Sequence, residues 1–96
     1  MKLHELKILH KYLVDISIGK KTFELRKNDR DYQEGDLIRF INIKEDNDTS
    51  KKCLIEPYID EKTLYRITDV LKDVDKYGLD KDYCILAIKK LDIKEI

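Results

Sequence analysis

Hydrophobic and polar residues are arranged in short runs along this chain, and the period of the pattern changes from run to run. The run from Leu3 to Ile8 predicts a short β-strand. The next four large apolar residues fall on one face at helical spacing: Leu9, Tyr12, Leu13 and Ile16. Gly19 ends this pattern, as glycine commonly does at the end of a helix. The sequence therefore predicts a strand that leads into one amphipathic helix at about residues 9–18.

A strictly alternating segment follows the helix. From Thr22 to Arg26, Phe23 and Leu25 share one face and the polar residues share the other, which predicts a half-buried strand with a polar face. A polar, turn-rich loop from Lys27 to Asp36 then leads to a strongly apolar strand at 37–43. Loops of this length inside small domains are more often functional than accidental.

The second half of the chain predicts further strands. They are a short edge strand at 53–55, after a polar turn at 45–52, and strands at 64–71 and 83–88, separated by a polar connection at 72–82 with a helical turn. The strand at 83–88 is apolar on both faces and is therefore expected to be central. The fold class is α+β: one domain over residues 1–96, with a small curved sheet or barrel of about five or six strands and one main helix.

Composition narrows the classes of function. Apolar residues make up 42% of the chain, enough for a core, while charged residues also reach 42%, against about 25% in typical globular proteins, which predicts an almost continuously ionic surface. The 20 basic and 20 acidic residues cancel, so the chain is not a histone-like coating protein and any affinity for nucleic acid must be local. No signal-peptide run or membrane-spanning stretch occurs in the sequence, and a cytoplasmic location is expected.

The cysteines and histidines do not form a metal-binding pattern. Cys53 and Cys84 lie far apart, without a second cysteine at metal-ligand spacing or a nearby pair of histidines. We therefore expect no metal and no cofactor, and interpret both cysteines as small buried apolar residues in strands.

The segment from Gly19 to Arg26 contains the most distinctive chemistry. Glu24 and Arg26 are two residues apart on one face of the predicted strand, roughly 6–7 Å apart at the backbone, and the long side chain of Lys21 can reach them. Lys21 and Glu24 are either an acid/base pair or a structural ion pair. Arg26 is either a contact for phosphate or a base edge, or the partner of Glu24 or Asp36 in a salt bridge.

The pattern Gly19-x-Lys21-x-x-Glu24-x-Arg26 resembles the signature of ASCH domains, which are small relatives of the PUA fold. Gly35-Asp36 followed by an apolar strand agrees with that family, and residues 4–7 and 26–31 are similar to an uncharacterised ASCH-like family of bacteria and phages. The resemblance covers essentially the whole chain, with its specific part at residues 4–7 and 19–36. It implies a PUA-like mixed barrel with a cleft between the helix and the strand from Gly19 to Arg26.

The resemblance also implies an association with RNA or modified nucleosides. The leading hypothesis is a module that binds single-stranded RNA or one nucleotide or nucleoside, and five Lys or Arg against two acidic residues between Lys20 and Arg30 supply a local positive patch. The candidate ligand-binding residues are His4, Lys21, Glu24, Arg26, Asn28, Arg30 and Tyr32. Of the six tyrosines, Tyr32 is the best placed to stack on a base. His4 is more simply interpreted as a histidine packed at the sheet edge, and Asn28 as a turn-capping residue.

Two alternatives belong to other classes. Some members of the superfamily are amidohydrolases that remove acyl groups from N4-acylated cytidine with a lysine, a threonine and a glutamate. By position the lysine is Lys21, but Glu24 occupies the place of the threonine, and Thr22 lies two residues earlier on the same face. In such an enzyme Lys21 is the base, and the nucleophile is either Thr22 or a water activated by Glu24. The later glutamate has no clear counterpart, although Asp69, Asp73 and Asp75 are nearby acidic residues. The second alternative is a phage or mobile-element protein that binds a host protein.

Overall fold

In the computed structural model, which describes residues 1–43 and 62–91, the first strand passes directly into the helix. The elements in order are β1 (Leu3–Leu9), α1 (His10–Ser17), β2 (Phe23–Lys27), β3 (Leu37–Ile43), β4 (Leu64–Leu71), a 3-10 turn (Val74–Tyr77) and β5 (Tyr83–Lys90). Each corresponds to a predicted element, so one main helix and a mixed sheet are confirmed, with five of the predicted five or six strands among the described residues. The predicted turn at 45–52 and edge strand at 53–55 lie outside the described residues.

The five described strands form one mixed sheet in the order β1-β3-β4-β5-β2. β1 is parallel to β3, and the other pairs are antiparallel. The sheet curves into a half-barrel whose two edges, β1 and β2, face each other. Across this gap the side chain of Arg26 donates a hydrogen bond to the carbonyl of Lys7 (3.0 Å), and that of Arg30 to the carbonyl of Glu5 (3.2 Å). β5 lies inside the sheet, as its two apolar faces predict.

The core lies between the concave face of the sheet and the helix. Alternate residues of the strands point inward, because side chains of a strand alternate between its two faces. The buried apolar side chains include Leu6, Ile8, Leu13, Ile16, Ile38, Phe40, Tyr65, Ile67, Cys84, Leu86 and Ile88. The helix contributes Leu13 and Ile16 from its predicted apolar face, whereas Tyr12, on the same face, remains 43% exposed at the margin. Cys84 is buried as predicted, and Cys53 lies outside the described residues.

The polar face of β2 points into the protein and its apolar face points outward, which is the reverse of the usual arrangement. The predicted alternation is correct, but the polar face points inward: Glu24 is 5% exposed, while Phe23 and Leu25 are 51% and 45% exposed. Burial of an ionised carboxylate is costly unless the charge is paired and hydrogen-bonded. Lys21 and Arg26 supply that compensation, as described below. The apolar face of the strand is consequently the one left at the surface.

The end of α1 positions the start of β2. Gly19 adopts a left-handed conformation (φ +82°), its N–H donates to the carbonyl of Ile16, and the N–H of Lys20 donates to the carbonyl of Asp15. This pair of hydrogen bonds is a Schellman motif, in which glycine avoids the steric penalty that other residues meet. The N–H of Lys21 donates to the same carbonyl of Asp15 (3.0 Å), so the backbone of Lys21 is fixed just before the strand. Within the described residues, no helix is long and apolar enough to span a membrane.

Candidate functional site

Glu24 is the centre of a cluster of three charged side chains. Its Oε1 accepts a hydrogen bond from Lys21 Nζ (2.6 Å), and its Oε2 accepts one from Arg26 Nη1 (2.9 Å). The Glu24 side chain is 7% exposed, against 19% for Lys21 and 23% for Arg26. The carboxylate is thus covered by the protein, while both cations keep partial access to solvent. In the structure Lys21 and Arg26 each form an ion pair with Glu24.

This cluster presents N–H donors at the surface and keeps its acceptor inside. An ammonium carries three N–H donors, and the hydrogen bond to Glu24 uses one of them. The Nη1 atom of Arg26 donates both to Glu24 and to the Lys7 carbonyl, so two hydrogen bonds from one nitrogen orient the guanidinium. Two cations and one carboxylate leave a local net charge of +1. The arrangement suits an anionic or acceptor-rich ligand that approaches Lys21.

A pocket of about 380 Å³ lies beside Lys21, between the end of α1 and the start of β2. Ile16, Tyr65 and Ile88 form an apolar floor. The rest of the lining comes from the glycine turn, from Lys21 and Thr22, and from the end of β5: Ser17, Ile18, Gly19, Lys21, Thr22, Lys89 and Lys90. Three lysines and no acidic residue therefore line this pocket among the described residues. Its volume falls in the range typical of small-ligand sites.

His4 and Asp36 form a second buried polar pair. His4 Nε2 lies 2.9 Å from Asp36 Oδ2, and the Asp36 carboxylate also accepts the backbone N–H groups of Lys2 and Gln33 (both 3.1 Å). Burial alone would raise the pKa of Asp36, but these hydrogen bonds outweigh it and hold the pKa below its usual value. His4 is 6% exposed. It is a histidine packed on the edge strand β1, and it fixes the end of the loop before β3.

Tyr32 does not offer the stacking surface that the sequence predicted. It is 1% exposed, and its ring packs against the His4 ring with centroids 4.8 Å apart. Burial raises the pKa of its hydroxyl, while the nearby Arg26 and Arg30 guanidinium groups act in the opposite direction. The prediction of stacking was wrong because the loop folds Tyr32 inward, and no local pattern distinguishes it from the other tyrosines.

The remaining candidates lie at or near the gap between β1 and β2. Arg30 is exposed, and its side chain reaches the carbonyl of Glu5. Asn28 is also exposed, and its backbone N–H donates to the carbonyl of Asp82 (2.7 Å). Arg30 therefore continues the line of side-chain contacts that Arg26 begins.

Two of the three acidic residues noted as possible substitutes for the later glutamate line a different pocket, and Asp75 lines neither pocket. Asp69 and Asp73 lie in a cavity of about 510 Å³ together with Tyr32, Lys72 and Lys76 among others. Lys21, Glu24 and Arg26 are not part of its lining. In the described part of the chain, no group of three His, Cys, Asp or Glu side chains is placed to hold a metal ion. No carboxylate from β4 or the 3-10 turn is thus brought into the pocket beside Lys21.

Comparisons with known proteins identify relatives but no activity. A family model described as a domain of unknown function, DUF3850, matches residues 3–88. No curated protein matches the chain. Among solved structures, the chain is similar to the hypothetical protein PH0355, with a TM-score of 0.58 and 16% identity over 95% of this chain and 100% of that chain. At this identity the likeness shows a shared fold alone.

Proposed function

Because the chain belongs to the DUF3850 family, a domain of unknown function, we propose its function from the geometry of the site. The protein is a binding module of the ASCH type, with a PUA-like half-barrel, that holds a nucleotide or a short segment of single-stranded RNA beside Lys21. The motif residues Glu24 and Arg26 lie outside the pocket lining, where Glu24 holds Lys21 and Arg26 holds Glu24. The mixed five-stranded sheet with one helix, and the pattern Gly19-x-Lys21-x-x-Glu24-x-Arg26, support this assignment.

The pocket beside Lys21 is the observation that carries the proposal. Its apolar floor suits the flat face of a base or the carbon skeleton of a ribose, and its three lysines suit a phosphate. The other cavity, at Tyr32, is lined by Glu34, Asp69 and Asp73 as well as by lysines. It is therefore less favourable for an anion than the pocket beside Lys21. A nucleotide is the ligand class that combines an apolar face with a negative charge.

The three motif residues have different roles in this proposal. Lys21 contacts the ligand, because its side chain is partly exposed and lines the pocket. Glu24 orients Lys21 by the hydrogen bond to Oε1, and Arg26 neutralises the remaining charge at Oε2. The array is therefore preorganised, which reduces the side-chain entropy lost on binding.

Titration followed by NMR tests the proposal. Mixed-sequence RNA oligonucleotides and single nucleotides are added to the labelled protein, and we expect the largest shifts in residues 19–26 and 88–90. Because phosphate contacts release counterions, the affinity falls as salt increases. Lys21→Ala weakens binding, whereas Lys76→Ala, which removes a lysine of the other cavity, serves as the matched control. Absence of shifts in residues 19–36 with every ligand, or equal weakening by both variants, would refute the proposal.

One observation favours a second candidate, an amidohydrolase that acts on N4-acylated cytidine. Lys21 and Thr22 line the same pocket, so a base and a hydroxyl face one ligand. In this reaction the Thr22 oxygen attacks the acyl carbon while Lys21 Nζ accepts the hydroxyl proton, and the amide C–N bond then breaks as Lys21 passes that proton to the departing amine of cytidine. Water then cleaves the resulting ester and releases the carboxylic acid. Glu24 at the place of the threonine leaves this as the second candidate.

A chromatographic assay decides whether this reaction occurs. The folded protein is incubated with N4-acetylcytidine, with Lys21→Ala and Thr22→Ala variants alongside and circular dichroism to verify folding. Release of cytidine that both variants abolish establishes the enzyme and its nucleophile. No release from folded wild-type protein, or full turnover by Lys21→Ala, excludes this mechanism and leaves the pocket as a binding site.

A further inference from the structure

Two exposed aromatic rings flank the ammonium of Lys21. Lys21 Nζ lies 5.2 Å from the centroid of the Tyr12 ring and 5.4 Å from the centroid of the Phe23 ring. The rings come from different elements, Tyr12 from α1 and Phe23 from β2. Both rings therefore adjoin Lys21, although neither is part of the lining of the pocket beside it.

These rings are exposed although the sequence pattern places both among apolar residues. Tyr12 shares its helix face with Leu13 and Ile16, which are 2% and 3% exposed, yet it is itself 43% exposed. Phe23 lies on the apolar face of β2 and is 51% exposed. An exposed aromatic ring contributes little to the stability of the core, whereas it offers a flat surface to a ligand.

We propose that Tyr12 and Phe23 are base-stacking residues, and that the ligand of this site carries an unpaired nucleobase, which stacks on them while Lys21 contacts its phosphate or base edge. This inference rests on the proposed binding function and deepens it. It excludes phosphate or ribose phosphate alone as the full ligand. Stacking on aromatic side chains tolerates every base, since each base has a π-face, and it is a common means of holding single-stranded nucleic acid.

The charges around the rings agree with this class of ligand. Lys11 Nζ lies 5.1 Å from the Tyr12 centroid, so two ammonium groups adjoin this ring. A cationic surface with interspersed rings is the combination that binds a strand whose backbone is charged and whose bases are unstacked. Double-stranded RNA is a poor fit, because its bases are stacked inside the helix.

A purely structural role for the rings predicts a different outcome. If Tyr12 and Phe23 only hold the Lys21 ammonium by cation–π contacts, their removal misplaces Lys21 and weakens every anionic ligand alike. If they stack on a base, their removal weakens only ligands that carry a base. The comparison of a ligand with and without its bases therefore separates the two roles.

The test measures binding by fluorescence anisotropy at one fixed salt concentration. The probes are a mixed-sequence single-stranded RNA and an abasic strand of the same length and charge. Binding of cytidine 5′-monophosphate and of ribose 5-phosphate is measured by NMR, and it shows whether a free nucleotide or a strand supplies the base. The variants are Tyr12→Ala and Phe23→Ala, with Tyr12→Phe and Phe23→Tyr to restore a ring. Tyr77→Ala is the control, because Tyr77 is 72% exposed on the 3-10 turn.

We expect each alanine variant to raise the Kd for RNA by about 5-fold to 150-fold, which corresponds to ~1–3 kcal/mol per stacked base. The Kd for the abasic strand stays unchanged, the ring-restoring variants bind as the wild type does, and Tyr77→Ala has no effect. Equal loss for both probes, or no loss for RNA, overturns the stacking role while the binding function stands. Failure of the wild type to bind any base-carrying probe overturns both the stacking role and the binding function. This result is obtained before any variant is compared.

Discussion

The replacement Glu24→Gln should destabilise the fold far more than removal of an exposed carboxylate does. Glu24 is the shared partner of Lys21 and Arg26, and its side chain is 7% exposed. Glutamine keeps nearly the same shape, so the packing of β2 against the core is preserved. What changes is the charge: two neighbouring cations lose their common counterion, and one acceptor oxygen is replaced by a donor.

The size of the effect follows from the exposure of the three groups. Removing one partner of a fully buried ion pair costs about 3–5 kcal/mol. Lys21 and Arg26 are 19% and 23% exposed, so water recovers part of their solvation when the carboxylate is lost. We therefore expect a decrease of about 2–3 kcal/mol in the free energy of unfolding, within the range for hydrogen bonds to charged groups. For a domain of this size that corresponds to a decrease in Tm of roughly 10–20 °C.

Urea unfolding provides the assay, because the midpoint reports stability and the slope reports whether the unfolded state has changed. Glu5→Gln is the matched control: Glu5 pairs with Arg39, and both side chains are about half exposed. Exposed pairs of this kind contribute about 0–1 kcal/mol. A Glu24→Gln variant that loses no more stability than Glu5→Gln would show that the cluster is held together by contacts other than its charges, and the reasoning would fail.

Three further predictions concern other parts of the fold. Asp36 has a lowered pKa in the folded state, so its contribution is present above its ordinary pKa of 3.8 and is lost as the pH falls through the folded value. The difference in unfolding free energy between wild type and Asp36→Asn should therefore shrink below pH 3.8, and a constant difference would contradict this. Burial raises the pKa of the Cys84 thiol, so iodoacetamide should label it far more slowly in the native protein than in urea, as mass spectrometry can measure; equal rates would refute this. Gly19→Ala should lower the free energy of unfolding in urea by about 1–2 kcal/mol. Nothing lies within 4 Å of the added Cβ, so this cost comes from the left-handed backbone and not from a clash. Gly19→Asn should lower it less, because asparagine tolerates that conformation better, and unchanged stability in both variants would contradict the backbone argument.

The strands and the helix could be predicted because their signals are local. The apolar runs of β1, β3 and β4 and the helical spacing of Tyr12, Leu13 and Ile16 depend on neighbouring residues alone, and the structure reproduces these elements. Leu9, which was assigned to the start of the helix, is instead the last residue of β1. The alternation of polar and apolar residues along β2 was predicted for the same reason. The sequence did not predict which face of β2 points inward, because that depends on the contacts of Lys21 and Arg26 with Glu24 inside the half-barrel.

The site residues depend on longer-range contacts, and the sequence predicted them less completely. Glu24 and its two partners lie within six residues of each other, so the motif could be read directly. The pairing of His4 with Asp36 joins the first strand to the end of a distant loop, and the same folding buries Tyr32. Tyr12 and Phe23 were assigned to apolar faces, because periodicity cannot reveal which member of such a face remains at the surface.

The position of β2 at the far edge of the sheet has a consequence for synthesis on the ribosome. Among residues 1–43 and 62–91, β2 has hydrogen-bonded strand pairing only with β5, and Phe23 pairs with Ala87. A nascent chain that has emerged only as far as β4 contains the whole motif but has no template on which to form β2, and closing so long a loop is entropically costly. We therefore expect β2 to pair only after β5 has emerged, so that a translation product interrupted before Tyr83 carries the motif without the strand pairing that positions Glu24 and Arg26.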